Sequence, residues 1–393
     1  MTLSTMTDTP ARLLGGGRVV TPEGVLTNAW VHVDGDTIAS VDASQPAVNA
    51  PVIDLEGAWL LPGLIDLHMH GGGGHSVADS PEAMQGAVAF HRRHGTTATL
   101  VSLMTAPVDE LCEQLGWAAD LHRRGSATSG HVLGSHLEGP FLSPRRSGAQ
   151  NPAHMIAPDH GVLDRLVAAA DGALRMMTLA PELDGALGLI ASLRRQGVIV
   201  ALGHSDATYE QAHAAIRAGA NHATHLFNAM PSLHHRAPGL VGAALEAGIP
   251  CELINDGLHV HPAVVGLVGR MIACPVLVTD AIDASGVGDG TFVLGGQEVR
   301  VQEGEARLTS TESLAGSTLT MSEALRRAVR DSGLSVEQAS AAASANPARV
   351  LGLEASIGSI AAGRRADLVV LDDDLQVTAV IAGGGWSDEN LLR

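Results

Sequence analysis

The sequence predicts an α/β protein built as a (β/α)₈ TIM barrel, with a small β-sandwich assembled from both chain termini. Three observations point there. Eight short runs rich in leucine and β-branched residues alternate with longer amphipathic stretches, the pattern of βα units in a parallel sheet. The stretches between the runs carry helix start and stop signals. Both ends of the chain break that repeat and read instead as short alternating strands punctuated by Gly, Pro and Asp.

Taken in order, residues 12–57 (RLLGGGRVVTPEGV onward) are meander pieces. The barrel runs follow at 60–68, 96–103, 132–138, 174–181, 199–204, 223–227, 251–255 and 275–280, and eight is the number that closes such a barrel. Ser80 with Pro81 reads as an N-cap and first helical position, and Gly95 ends that helix. Asp206 and Gly219 bracket another helix in the same way. The Gly-rich stretch 285–304 separates the eighth strand from its helix at 320–331 and reads as a hairpin insert. Residues 357–386, with ADLVVLD, return to alternating strands. The domain reading is therefore 1–59 and 351–393 for the sandwich and 60–350 for the catalytic barrel.

With 393 residues and 45% of them apolar, the chain can bury a large core. Its 24 basic against 42 acidic residues give a formal charge of −18, which disfavours nucleic acid and anionic membrane surfaces as partners. An anionic small molecule would need local positive groups. Three cysteines, Cys112, Cys251 and Cys274, are too few and too scattered for a disulfide framework and suit a reducing, cytoplasmic setting. Neither a secretion signal nor an uninterrupted apolar span stands out. No GxGxxG opens a helix and no GxxxxGK[ST] occurs, so nucleotide cofactor and kinase readings lack support.

Nineteen histidines in a chain with 2% aromatic residues ask for an explanation. Candidate metal ligands recur where the predicted strands run out, at the end of the barrel where active sites of this fold are built. His68 and His70, two residues apart in LIDLHMH, point to one face of an extended segment and can share an ion. Glu138 follows the third run in HLEGP, His204 ends the fifth in ALGHSD, His225 the sixth in HATHLFNAM, and Asp280 the eighth in LVTDA. Any one alone reads as an ordinary polar residue at a strand end. Together, two histidines and a carboxylate make an open three-ligand site, and His68, His70 and Asp280 complete a second. His136 is expected to be buried beside the site, and His91, His94, His122, His213, His234, His235 and His261 to be solvated.

These residues resemble a known family. PGLIDLHMHG, the returning ADLVVLD and the final-strand TDA look like the amidohydrolase superfamily. HLEGPF, GHSDA, ATHLFNAM, PGLVGAAL, NDGLHV, VTDA and LAGSTLTM are similar, in that order, to the motif set of N-acetylglucosamine-6-phosphate deacetylases. The likeness covers almost the whole chain. It implies that Glu138, His204 and His225 hold the main metal and that Asp280 is the catalytic carboxylate. Substrate contacts are implied at Ala149, Gln150, Asn228, Ala229, Arg236, Asp256, Gly257, Leu258, His259, Leu314, Ala315 and Gly316, with Arg236 and the backbone at 228–229 on the sugar phosphate.

The family departs from this chain at Gln150, where some members carry a histidine that polarises the acetyl carbonyl. The HxH pair accompanies a two-metal arrangement in the family, so two divalent ions per chain (zinc, iron, manganese or similar) are expected, bridged by Glu138. A homodimer is also implied. The expected reaction is hydrolysis of the N-acetyl amide of N-acetylglucosamine 6-phosphate, with Asp280 moving the proton. Two rivals remain: another amidohydrolase or deaminase acting on a different amide or ring, and a non-catalytic barrel. The cyclic-amidase branch needs a fourth-strand lysine for carbamylation, and all 24 basic residues here are arginines. A non-catalytic barrel is expected to have lost ligands, whereas every ligand type is present.

Overall fold

The computed structural model describes residues 11–125 and 131–386. Parts of the two predicted sandwich segments, 1–10 and 387–393, lie outside the described residues. Eight parallel strands form the barrel sheet: Leu64–Asp66, Thr96–Met104, His131–Glu138, Leu174–Leu179, Ile199–Leu202, His222–Ala223, Cys251–Ile254 and Pro275–Val278. Each pairs with the next in sequence. Closure comes just beyond the first and eighth strands, where Met69 bridges Ala281 and the His70 N–H donates to the Ala281 carbonyl at 2.9 Å.

Local signals explain most boundaries. Helix Pro81–Arg93 starts at Ser80, whose hydroxyl accepts the Ala83 N–H, and the chain leaves it through Gly95 at φ +93°. Helix Tyr209–Ala218 is capped by Thr208, not Asp206, in a reciprocal box with Gln211. Asp206 instead binds Arg146 at 2.8 Å. Thr320 caps Met321–Arg330 as expected.

Two stretches differ from expectation. The run predicted at 60–68 splits at Gly63, where an added Cβ would lie 2.2 Å from Thr97 Oγ1. Before the break, Trp59–Pro62 pairs with strands from both chain ends; after it, Leu64–Asp66 joins the barrel. The insert after strand eight is a three-stranded antiparallel sheet, Gly290–Leu294, Gln297–Gln302 and Glu305–Leu308, one strand more than a hairpin. It packs its own small core of Ile282, Leu294, Val299, Val301 and Leu308, and its return segment brings 311–316 over the barrel mouth.

The terminal strands pair in one eight-stranded sheet that includes Arg12–Thr21, Gly24–Asp34, Thr37–Asp42, Leu368–Leu371 and Val377–Ala382. Its core of Leu14, Val19, Val31, Ile38, Leu60, Leu368 and Ile381 is separate from the barrel core and fits the expected sandwich. All three cysteines are free thiols. Among the described residues no helix is long and apolar enough to cross a membrane.

Candidate active site

The six predicted ligands converge. Glu138 Oε1 lies 3.1 Å from His204 Nε2 and 3.0 Å from His225 Nε2, whose nitrogens are 3.0 Å apart. Glu138 Oε2 lies 3.4 Å from His70 Nε2, and Oε1 3.5 Å from His68 Nε2. His68 and His70 bring their Nε2 atoms within 3.1 Å of each other, and Asp280 Oδ1 sits 3.6 and 3.2 Å from them. Glu138 thus stands between two ligand triplets. All six side chains are buried, Asp280 the most open at 8% exposure.

Strand ends alone do not aim these groups. His204, His225 and Asp280 adopt φ of +46°, +25° and +50°, a region that costs a non-glycine residue about 1–3 kcal/mol. The turns are fixed by backbone bonds. The Asp280 N–H donates to the His68 carbonyl at 2.8 Å, and the Asp280 carbonyl accepts from Ser317 N–H at 2.7 Å. At Gly316, which has φ +61°, an added Cβ would meet the Asp280 carbonyl oxygen at 2.8 Å, so the segment from the insert packs directly on the site.

Donor chemistry tests whether these residues suit a cation. His204 Nδ1 lies 2.9 Å from the Arg146 carbonyl, His70 Nδ1 2.9 Å from the Ser102 carbonyl, and His68 Nδ1 3.0 Å from Glu252 Oε2. Those oxygens only accept, so each Nδ1 carries a proton and Nε2 is the nitrogen that each ring turns inward, free to offer a lone pair once no proton occupies it. Lone pairs converging at about 3 Å with carboxylate oxygens repel unless a positive charge lies among them. Titration behaviour agrees. Burial opposes the charged form of His70, but Asp280 and Glu138 outweigh it and raise its pKa to about 9. Burial likewise opposes charge on His68, yet Glu138, Asp280 and Glu252 hold its pKa well above the ordinary value. In Glu138 burial pushes the carboxyl up, and the charge of His68 and His204 with the bonds from His204 and His225 overcomes it, holding the group well below the usual range. The site carries an excess of negative charge that a divalent cation fits.

Above the ligands opens a cavity of about 510 Å³. Ala149, Gln150, Asn228, Ala229, His259, Leu314 and Gly316 of the expected substrate contacts line it, as do His70, Glu138, His204, His225 and Asp280. Asp256 works behind the wall: its Oδ1 accepts the N–H groups of Leu258 and His259, and its Oδ2 takes the His259 Nδ1–H at 2.6 Å. Gly257 at φ +81° makes that turn possible. Ala315 is fully buried and bonds to Ala306, behind the lining. Leu258 is exposed. Arg236 is also exposed, outside the cavity lining; its Nη1 meets His235 Nε2 at 2.8 Å, and no carboxylate pairs with it among the described residues.

Gln150 is engaged at both ends. Its Oε1 accepts the Thr105 N–H at 2.8 Å and its Nε2 donates to Glu138 Oε2 at 2.6 Å, leaving one amide hydrogen free. His136 is buried beside the site as expected, between the Ser102 hydroxyl at 3.0 Å and the Thr178 hydroxyl at 2.7 Å. His91, expected to be solvated, is instead 1% exposed and bonds the Gly71 carbonyl at 2.8 Å. The reason is positional: it lies on the inward face of its helix, over the glycines that follow His70.

Several residues in and beneath the cavity escaped the sequence reading. Arg145, Arg146, Thr311 and Ser313 line the cavity, but they sit in loops whose direction no local pattern sets. Glu252 and His222, both fully buried, face each other at 3.1 Å beneath the ligands. An acid inside the apolar run CELI was the available signal for Glu252.

Comparison with known proteins agrees with this geometry. The amidohydrolase family model matches residues 59–386. N-acetylgalactosamine-6-phosphate deacetylase of Escherichia coli O157:H7 is 38% identical over 94% of this chain and 97% of its own length. N-acetylglucosamine-6-phosphate deacetylase of Bacillus subtilis (strain 168) is 35% identical over 93% and 94%. Among solved structures, a mutant of the N-acetyl-D-glucosamine-6-phosphate deacetylase of Mycobacterium smegmatis, in complex with N-acetyl-D-glucosamine-6-phosphate, superposes with a TM-score of 0.91. It is 41% identical, covering 96% of this chain and 99% of that one. The chain belongs to the amidohydrolase family and, within it, to the N-acetylglucosamine-6-phosphate deacetylases.

Proposed function

We propose that this protein hydrolyses the N-acetyl amide of N-acetylglucosamine 6-phosphate to acetate and glucosamine 6-phosphate. The observation that carries the reading is the convergence of Glu138, His204, His225, His68, His70 and Asp280 on one another, all but His68 lining one cavity, in a chain whose relatives carry that activity in their names. Glu138, His204 and His225 would hold one divalent cation and His68, His70 and Asp280 a second, with Glu138 shared. Such an ion supplies Lewis acidity, bringing the pKa of water from 15.7 to about 7 so that a nucleophile is available at neutral pH. Zinc, iron and manganese all suit histidine and carboxylate donors.

The chain's own residues do the rest. Asp280 faces the cavity, and although burial pushes its carboxyl up, the charge of His68 and the bond from His70 keep it below the ordinary range. It is therefore ionised at neutral pH and able to take the proton of the attacking water. It then delivers that proton to the amine, which would otherwise leave as an unstable amide anion. The free N–H of Gln150 is the donor for the acetyl oxygen as negative charge develops on it, a contribution of about 3–4 kcal/mol for a well-aimed donor. Asn228, Ala229 and the guanidinium of Arg236, which no carboxylate neutralises among the described residues, take the phosphate end, supplying positive charge in an acidic protein.

The barrel, residues 60–350, is the catalytic unit in this reading, and the protein works as a cytoplasmic homodimer. Three free thiols suit the reducing compartment, and light scattering at assay concentration checks the dimer. The functional test is acetate release from N-acetylglucosamine 6-phosphate with and without a chelator. Turnover that survives complete removal of divalent ions would refute the reading. Running the 4-epimer, N-acetylgalactosamine 6-phosphate, beside it separates this activity from that of the Escherichia coli relative.

A further inference from the structure

Glu252 is the second residue of the seventh barrel strand (Cys251–Ile254), fully buried inside the barrel. Barrel interiors are filled mainly by valine, isoleucine and leucine, and a buried carboxylate needs several donors to offset its desolvation. Glu252 has three. Its Oε2 accepts from His68 Nδ1 at 3.0 Å and from the His225 backbone N–H at 3.1 Å, and its Oε1 accepts from His222 Nε2 at 3.1 Å. Strand seven does not adjoin strand one, so the contact with His68 crosses the barrel interior past strand eight. Two of the three donors belong to proposed cation ligands, one from each triplet.

The imidazoles are not oriented alike. His204 and His70 give their Nδ1 protons to backbone carbonyls, which the fold supplies whatever the side chains are. Only His68, among these ligands, depends on another side chain. We propose that Glu252 is a positioning residue for the second cation. By accepting the Nδ1–H of His68 it fixes the tautomer that leaves the Nε2 lone pair facing Glu138 and Asp280. By accepting the His225 N–H it also steadies the left-handed turn that carries a ligand of the first cation. This inference rests on the two-cation reading above. Carboxylates that orient a metal-binding histidine in this way contribute about 10–100-fold in metal affinity.

The test is calorimetric titration of chelator-stripped protein with Zn²⁺, for the unsubstituted chain, Glu252→Gln and His222→Gln. Thermal melts establish that each is folded. Glutamine keeps an acceptor for the His225 N–H but loses the charge that holds the His68 proton. The expected result is two tight equivalents in the unsubstituted chain, a second equivalent weakened about 10–100-fold in Glu252→Gln, and a first equivalent little changed. His222→Gln breaks the remaining contact of the same carboxylate and is expected to leave both affinities in place. An unchanged second affinity in folded Glu252→Gln overturns the role of Glu252, as does equal loss of both equivalents in both variants, which would mark general loosening of the barrel. A single equivalent in the unsubstituted chain instead overturns the two-cation reading, and this inference with it. Glu252→Asp, which keeps the charge but shortens the reach by one methylene, is read by the same criteria if the glutamine form is not recovered folded.

Discussion

His68 and His136 are neighbouring imidazoles, 4.6 Å apart edge to face and both fully buried, yet they are driven in opposite directions. Around His68 three carboxylates gather and raise its pKa well above the ordinary value against the pull of burial. Around His136 there are hydroxyls; burial first, then the charge of His68, push it down to about 3. His91, on the first barrel helix, resembles His136, and burial lowers it to about 4. Burial alone strips an imidazole of its proton, so converging acids mark the mouth of the barrel as a cation site and leave its surroundings neutral.

The comparison is sharpened first at the mouth. Asp280→Asn removes the proposed proton carrier without changing size, so kcat should fall by about 10²–10⁴ while the melting temperature and first-cation content stay close to the parent. Steady-state acetate release with elemental analysis reads both. A near-normal rate would remove Asp280 from the chemistry.

A base whose folded pKa lies below its unfolded value takes its proton first in the unfolded chain. Its contribution to stability is therefore complete above pH 6.5 and lost as the pH falls toward 4. For His91 the loss amounts to about 2–3 kcal/mol by pH 4.5. Urea unfolding at pH 7 and pH 4.5 should show that slope reduced in His91→Gln, with kcat at neutral pH unaltered. Equal slopes in the two proteins would mean that His91 is protonated without penalty.

A smaller effect is expected at the rim. Arg236→Ala should raise KM for N-acetylglucosamine 6-phosphate about tenfold, in keeping with a charged hydrogen bond of about 1.5 kcal/mol, and barely change it for unphosphorylated N-acetylglucosamine. Equal effects on both sugars would transfer the phosphate role to the cavity arginines, Arg145 and Arg146, which already share Asp206.

Much of the site was legible because it obeys a positional rule. Ligand residues sit just past the ends of apolar runs, and those runs are short-range patterns that a sequence carries openly: LIDLHMH, HLEGP, ALGHSD, LVTDA. Thr208 was missed as a cap because Asp206 offers an equally good side chain two residues earlier, and only the pull of Arg146 decides between them. His91 was misplaced because helical periodicity shows that one face is covered, without showing that the glycines after His70 are what covers it.

The sequence by itself determined the eight-fold alternation, the separate β character of both ends and the identity of the six side chains at the strand ends, since each depends on neighbours within a few residues. Tertiary structure alone decided that those side chains meet within 3–4 Å, that a three-stranded insert closes over them, and that Glu252 reaches across the barrel to His68. These relations join residues up to 212 positions apart, as Asp280 and His68 are. Their geometry is set by barrel closure and by left-handed turns at His204, His225 and Asp280 that packing imposes against local preference.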